Sequence, residues 1–272
     1  MAPICGLFEK RAEETMGMLD GRPGLVTGAG SGLGRATCLL AAEEGAPVAV
    51  LDIRLEAAEK TVEAVRARGG EAIAIEADVT SAEQMASAVA RAVKELGGLS
   101  WASNNAAGGF EDFMPLHETD DSTWSRTVDV CLKGIFHGMK YEIPAMLNSG
   151  GGSIVNISTA SVGKGEAFLG PYVAAKGGVE ALTRTGAAEY SAQGVRVNAV
   201  APGGFETPGL SLYFEKFPEF KEKTVAQHAL RRVGQPREIA EAVIWLASNR
   251  SSFVTGTTLT CDGGIGVNPH ML

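Results

Sequence analysis

The chain has 272 residues, 45% hydrophobic and 21% charged, which is enough apolar material for the core of one large α/β domain. A formal net charge of −8 without any Lys/Arg-rich run excludes nucleic acid and anionic membrane as main partners, since both call for a basic footprint, and points to a small molecule instead. No apolar run reaches the roughly 18 residues of a membrane span, and the first twenty residues, MAPICGLFEKRAEETMGMLD, lack a secretory apolar region.

The expectation is a cytoplasmic protein with an N-terminal arm (1–20) and a single domain (21–272). Cys5, Cys38, Cys131 and Cys261 are scattered with no CxxC, so neither a disulfide framework nor a zinc site is predicted. His117, His137, His228 and His270 also lack ligand spacing and read as ordinary surface or packing residues, and no metal is expected.

In chain order, the runs 24–28, 47–52, 71–78, 99–105, 151–158, 195–202 and 257–264 read as strands. Between them, 32–44, 55–68, 81–96, 121–147, 171–192 and 237–248 have the Ala-, Leu- and Glu-rich character of helices. Continuous apolar strands separated by helices predict a doubly wound α/β fold around a mostly parallel, seven-stranded sheet, Rossmann-like, with helices on both faces. The stretch 203–235 reads as one long irregular segment rich in aromatics (Phe205, Tyr213, Phe214, Phe217, Phe220), a candidate substrate-binding loop or lid.

The first strand runs into TGAGSGLG, residues 27–34, and then into a helix. Its Gly28, Gly32 and Gly34 are spaced GxxxGxG, which differs from the GxGxxG dinucleotide fingerprint but can do the same work. Glycine allows a tight turn and close backbone approach, so the next helix can present N–H groups and its positive dipole end to a pyrophosphate. Gly28, Ser31, Gly32, Leu33 and Gly34 are the candidate contacts. Asp52 ends the second strand, where its carboxylate would accept from the adenosine 2′-hydroxyl and repel a 2′-phosphate, favouring NAD over NADP.

Taken together, TGAGSGLG, Asp78-Val79, NNAA (104–107), IVNIST (154–159), YVAAK (172–176), NAVAPGGFET (198–207) and DGG (262–264) resemble the short-chain dehydrogenase/reductase family from residue 22 to 266. The resemblance implies that Asp78 and Val79 flank the adenine, that Asn105 and Ala106 line the cofactor groove, and that Phe205 and Thr207 contact the nicotinamide carboxamide. Oxidising an alcohol requires its hydroxyl proton to leave as hydride moves, so a base must lie within hydrogen-bond reach of that oxygen. Tyr172 is the candidate base. A tyrosine pKa of about 10 is too high for that work, and Lys176, one helical turn on, with the oxidised nicotinamide, would lower it. Lys176 would also hold the nicotinamide ribose. Thr159 occupies the position of the family's oxyanion-stabilising serine, flanked by Ser158 and Ser161.

Two further departures stand out: NNAA replaces the usual NNAG, and Cys131 replaces the family's fourth catalytic residue, an asparagine. Gly177, Gly178, Ala174, Ala175 and Ala181 form a small-residue helix surface against which something packs closely; the resemblance, in which this helix packs against its twin in another subunit, implies a homodimer or homotetramer, and close packing within one chain is the other reading. The resemblance implies an oxidoreductase moving a hydride between NAD(H) and a secondary alcohol or ketone, with an alicyclic, aromatic-diol or steroid-like substrate. An NAD-dependent epimerase or dehydratase, or a catalytically impaired NAD-binding protein, are the alternatives.

Overall fold

The computed structural model describes residues 17–108 and 113–267. Cys5, His270, residues 1–16 of the expected arm and the Tyr213 side chain lie outside the described residues. The seven apolar runs form strands β1 (Gly24–Thr27), β2 (Val48–Asp52), β3 (Ala72–Glu76), β4 (Trp101–Asn104), β5 (Gly152–Ile157), β6 (Val195–Pro202) and β7 (Thr258–Cys261). They lie in the order β3-β2-β1-β4-β5-β6-β7, and every neighbouring pair is parallel.

The runs are apolar throughout because alternate side chains enter two different cores. Val26, Val48, Val50 and Val155 point into one, with α1 (Gly32–Glu43), α2 (Leu55–Arg66) and, late in the chain, the helix Pro236–Ala247. Leu25, Ala49, Leu51 and Ile154 point into the other, beneath α3 (Ala82–Leu96) and later helices. That second layer contains α4 (Asp121–Val128), α5 (Gly134–Asn148) and, beyond the short α6 (Ser161–Lys164), the long α7 (Gly170–Tyr190).

The structure departs from the sequence reading in three places. The single helix expected over 121–147 is interrupted by a π turn at Asp129–Lys133 between α4 and α5. The stretch expected to be irregular contains α8 (Pro208–Lys216) and α9 (Pro218–Gln227), each opening on a proline, before α10 (Pro236–Ala247). The arm ends earlier than expected: Leu19 is fully buried in the core, and its N–H donates to the Glu44 carbonyl at 3.1 Å. Among the described residues no helix is long and apolar enough to cross a membrane.

Strand order reverses between β1 and β4, and the crevice at the carboxyl ends of such neighbours is where α/β sheets bind ligands. The turn after β1 and the segment after β4 meet there.

Candidate active site

The glycine turn is built for close approach. Gly28 adopts φ +62°, a conformation that disfavours a side chain, and a Cβ there would lie 2.8 Å from the Cα of Ala106. A Cβ on Gly34 would collide with the Gly28 carbonyl oxygen. Ser31, the N-cap of α1, makes no side-chain cap hydrogen bond, so the first N–H groups of the helix, at Gly32, Leu33 and Gly34, are left for an anion. This cradle fits a pyrophosphate. Thr207 stands across from it, its Cγ2 3.8 Å from where a Cβ on Gly32 would be, and its hydroxyl accepts from the Leu210 N–H at 3.0 Å to start α8.

Asp52 is 7% exposed and does more than the sequence reading gave it. Its Oδ2 accepts from the Gly30 N–H at 2.9 Å and its Oδ1 from the Arg54 N–H at 3.0 Å, so it braces the glycine turn. Ile53 beside it is exposed and uncharged. Asn105 also shapes the groove from behind: its amide donates to the Thr27 and Gly28 carbonyls at 3.1 and 3.2 Å, while the Thr27 hydroxyl accepts from the N–H groups of Asn105 and Ala106. The Asp78 Oδ1 is used locally, accepting from the Thr80 N–H and hydroxyl, both at 2.8 Å. Val79 is buried against Gly134, and its carbonyl accepts from His137 Nδ1 at 2.9 Å.

Thr159, Tyr172 and Lys176 come together where β5 gives way to α7. Lys176 is 1% exposed, and its Nζ donates to the Ile157 carbonyl at 2.7 Å. Burial holds its pKa below the usual lysine value, with Cys131 acting in the opposite direction. The ammonium lies 5.8 Å from the centre of the Tyr172 ring. Burial raises the Tyr172 phenol above its ordinary value, Cys131 adds to the rise, and a hydrogen bond from Thr159 opposes it. The sequence reading expected a lowered tyrosine; in the protein alone, desolvation wins.

The Thr159 hydroxyl reaches Tyr172, and it also donates to the Ser161 hydroxyl and accepts from the Ser161 N–H, both at 3.3 Å. Ser158 donates to Glu180 on α7 at 2.9 Å, and Ser161 donates to Glu166 at 3.2 Å. Cys131 is fully buried in the π turn, its thiol 3.4 Å from the Gly108 carbonyl. Phe205 forms a parallel bridge with Gly234 that anchors the segment leading into α8.

Two buried groups escaped the sequence reading. Glu142, on α5, is 0% exposed; its Oε2 accepts from Asn104 Nδ2 at 2.9 Å, and that amide also donates to Asn156 Oδ1 at 3.1 Å. Asn156 passes the chain on to the Thr183 hydroxyl at 3.0 Å. Burial raises the Glu142 carboxyl to about 7, against a smaller lowering by Asn104. The signal in the sequence was a lone carboxylate in an apolar helix. The second group is His228, which reads as an ordinary surface or packing histidine yet bonds two separate segments through its ring.

Residues 28–266 match a family model described as enoyl-(acyl carrier protein) reductase, which covers most of the chain. The chain belongs to the short-chain dehydrogenase/reductase family. It is therefore an oxidoreductase by family. Among its relatives in that family, it is 43% identical over 240 residues to a cyclohexanol dehydrogenase of Acinetobacter sp. (strain SE19), covering 88% of this chain and 92% of that protein. It is 40% identical over 250 residues to a 2,5-dichloro-2,5-cyclohexadiene-1,4-diol dehydrogenase of Sphingobium indicum, covering 92% and 98%. A solved short-chain dehydrogenase/reductase from Mycobacterium ulcerans superposes with a TM-score of 0.87 at 29% identity, covering 92% and 91%.

The small-residue surface of α7 divides in two. A Cβ on Gly178 would come within 2.9 Å of Leu132, so that glycine is explained by packing within the chain. Gly177 has only Val162 at 4.0 Å, and Ala174 and Ala181 are exposed.

Proposed function

We propose that the protein is an NAD-dependent dehydrogenase that interconverts a secondary alcohol and a ketone on an alicyclic ring. The observation that carries this is the convergence of the Thr159 hydroxyl, the Tyr172 phenol and the buried Lys176 ammonium. Gly28, Ser31, Gly32, Leu33 and Gly34 would hold the pyrophosphate, Asp52 the adenosine ribose, Asp78, Val79, Asn105 and Ala106 the groove, and Phe205 and Thr207 the carboxamide. NAD bound there supplies the hydride acceptor and a positive charge near the phenol.

Tyr172 takes the hydroxyl proton of the alcohol, and Thr159 donates to the same substrate oxygen to hold it in line. Lys176 stabilises the phenolate through its charge and holds the nicotinamide ribose. The low exposure of Thr159 and Lys176, 9% and 1%, strengthens these interactions by excluding water. The ring-alcohol substrates named for the two relatives support an alicyclic substrate, as do the partly buried Phe205, Phe214 and Phe217. Asp52, with uncharged Ile53 beside it, supports NAD over NADP. The exposed Ala174 and Ala181, with half-buried Gly177 between them, support a homo-oligomer through α7, and the reading includes a cytoplasmic enzyme.

The test is turnover of purified protein with NAD and a panel of cyclohexanols, cyclic diols, steroid alcohols and acyclic secondary alcohols, followed by NADH absorbance. The reading expects the ring alcohols to lead. No NADH formed from any of them, and no ketone reduced in reverse, would overturn it.

A further inference from the structure

His228 follows the C-terminal end of α9 and is 1% exposed. Both ring nitrogens are engaged, and on different segments. The Gly204 N–H reaches Nε2 at 3.0 Å; since a backbone N–H can only donate, Nε2 must carry a lone pair. Nδ1 therefore holds the proton and donates to the Thr224 carbonyl at 2.7 Å. Thr224 belongs to α9, while Gly204 immediately precedes Phe205, Glu206 and Thr207.

A third segment closes on the same ring. A Cβ on Gly263 would lie 3.3 Å from His228 Cδ2, and one on Gly204 would lie 3.0 Å from Cε1. The Leu230 N–H donates to the Gly263 carbonyl at 3.0 Å, tying the chain just past His228 to the loop after β7. One neutral imidazole thus joins α9, the segment that follows β6 and the loop that follows β7.

We propose that His228 is a positioning residue: it fixes the Gly204–Thr207 segment against α9 and so sets how firmly the nicotinamide end of the cofactor is held. This rests on the functional reading above, in which Phe205 and Thr207 meet the carboxamide. Removing the ring takes the acceptor from a partly buried N–H and opens a hole where three segments meet, so the segment loosens. The adenosine end is held by Asp52 and the glycine turn, which His228 does not touch. The effect must therefore fall on one half of the cofactor.

NADH and ADP-ribose, which lacks the nicotinamide, are titrated against the unchanged protein, His228→Ala and His228→Gln, and amide exchange is followed over residues 203–207. His228→Ala should weaken NADH by about tenfold or more, the scale of one lost buried hydrogen bond. ADP-ribose should bind within about twofold of the unchanged protein, and exchange over 203–207 should quicken. The carboxamide of His228→Gln again offers an acceptor and a donor and should restore NADH binding to within about threefold. Equal losses for both ligands, or none for NADH, would overturn the proposal. Should His228→Ala fail to fold, Gly204→Ala presses on the same ring from the other side and carries the same comparison. An unchanged protein that binds ADP-ribose but not NADH, or neither, would bring down the functional reading, and this inference with it.

Discussion

Glu142 makes the stability of this protein depend on pH in a direction opposite to most carboxylates. Its carboxyl rises from an ordinary 4.5 to about 7 because it is fully buried, and the folded state therefore favours the protonated form. Between those two values the folded chain keeps a proton that the unfolded chain has lost, so the contribution is complete below pH 4.5 and disappears as pH climbs through about 7. At about 1.4 kcal/mol for each pH unit of separation, the loss amounts to about 3 kcal/mol.

Glu142→Gln should abolish this dependence. The amide oxygen keeps the bond from Asn104 Nδ2 and the side chain carries no charge at any pH; among the described residues Ser103 Oγ, Asn104 Oδ1 and Glu142 Oε1 are buried without a hydrogen-bond partner. The assay is urea unfolding of both proteins from pH 5 to pH 8.5. The difference between the two curves cancels every other titrating group. At pH 5 the two should be of similar stability, and by pH 8.5 the variant should lead by about 3 kcal/mol. Parallel curves would refute the reasoning, since they would mean that Glu142 is already ionised in the fold at pH 5.

Tyr172→Phe removes only the phenolic oxygen and should lower kcat by about a thousandfold or more while NADH binding, measured by fluorescence, changes little. Near-normal turnover would assign the base elsewhere. Asp52→Ala combined with Ile53→Arg should move the ratio of kcat/KM values towards NADP, with some loss of stability because the Gly30 N–H loses its acceptor; unchanged preference would show that Asp52 does not read the 2′-position. Cys131→Ala and Cys131→Asn should each keep activity within about tenfold, because a fully buried thiol with a weak contact to Gly108 is a packing group. A thousandfold fall in a folded, NADH-binding Cys131→Ala would make the thiol part of the mechanism.

The sheet was legible because a parallel strand buried on both faces needs an unbroken apolar run, and each of the seven runs forms one. The Tyr172 and Lys176 pair was legible because helical spacing brings both onto one side of α7, whereas Thr159 was reached only through the family resemblance. The helices α8 and α9 were obscured by their aromatics and prolines, although Pro208 and Pro218 stand at the first helical positions where proline is well suited. His228 had no signature at all: its partners are a backbone N–H and a backbone carbonyl, and any sequence offers those. Desolvation of Tyr172 is likewise a property of how the elements close together, invisible in the spacing of YVAAK.

The π turn at Asp129–Lys133 holds one residue more between α4 and α5 than an unbroken helix would. Thr123, Thr127, Cys131, Ile135 and Met139 are all buried at a strict interval of four. On an unbroken α-helix each such step overshoots the 3.6-residue turn by about 40°, so the line would wander off the core within three steps. The wide turn absorbs that drift and returns α5 to the sheet, with Gly138 against Asn104 and Glu142 beneath it. A surface loop shortened by one residue usually closes again with little harm. One residue deleted from 129–133 would likewise restore the narrow turn and leave α5 facing the sheet, because the wide turn is what holds the extra residue. A naturally shortened version of this chain could therefore lose a residue at this turn and still present the same side of α5 to the sheet.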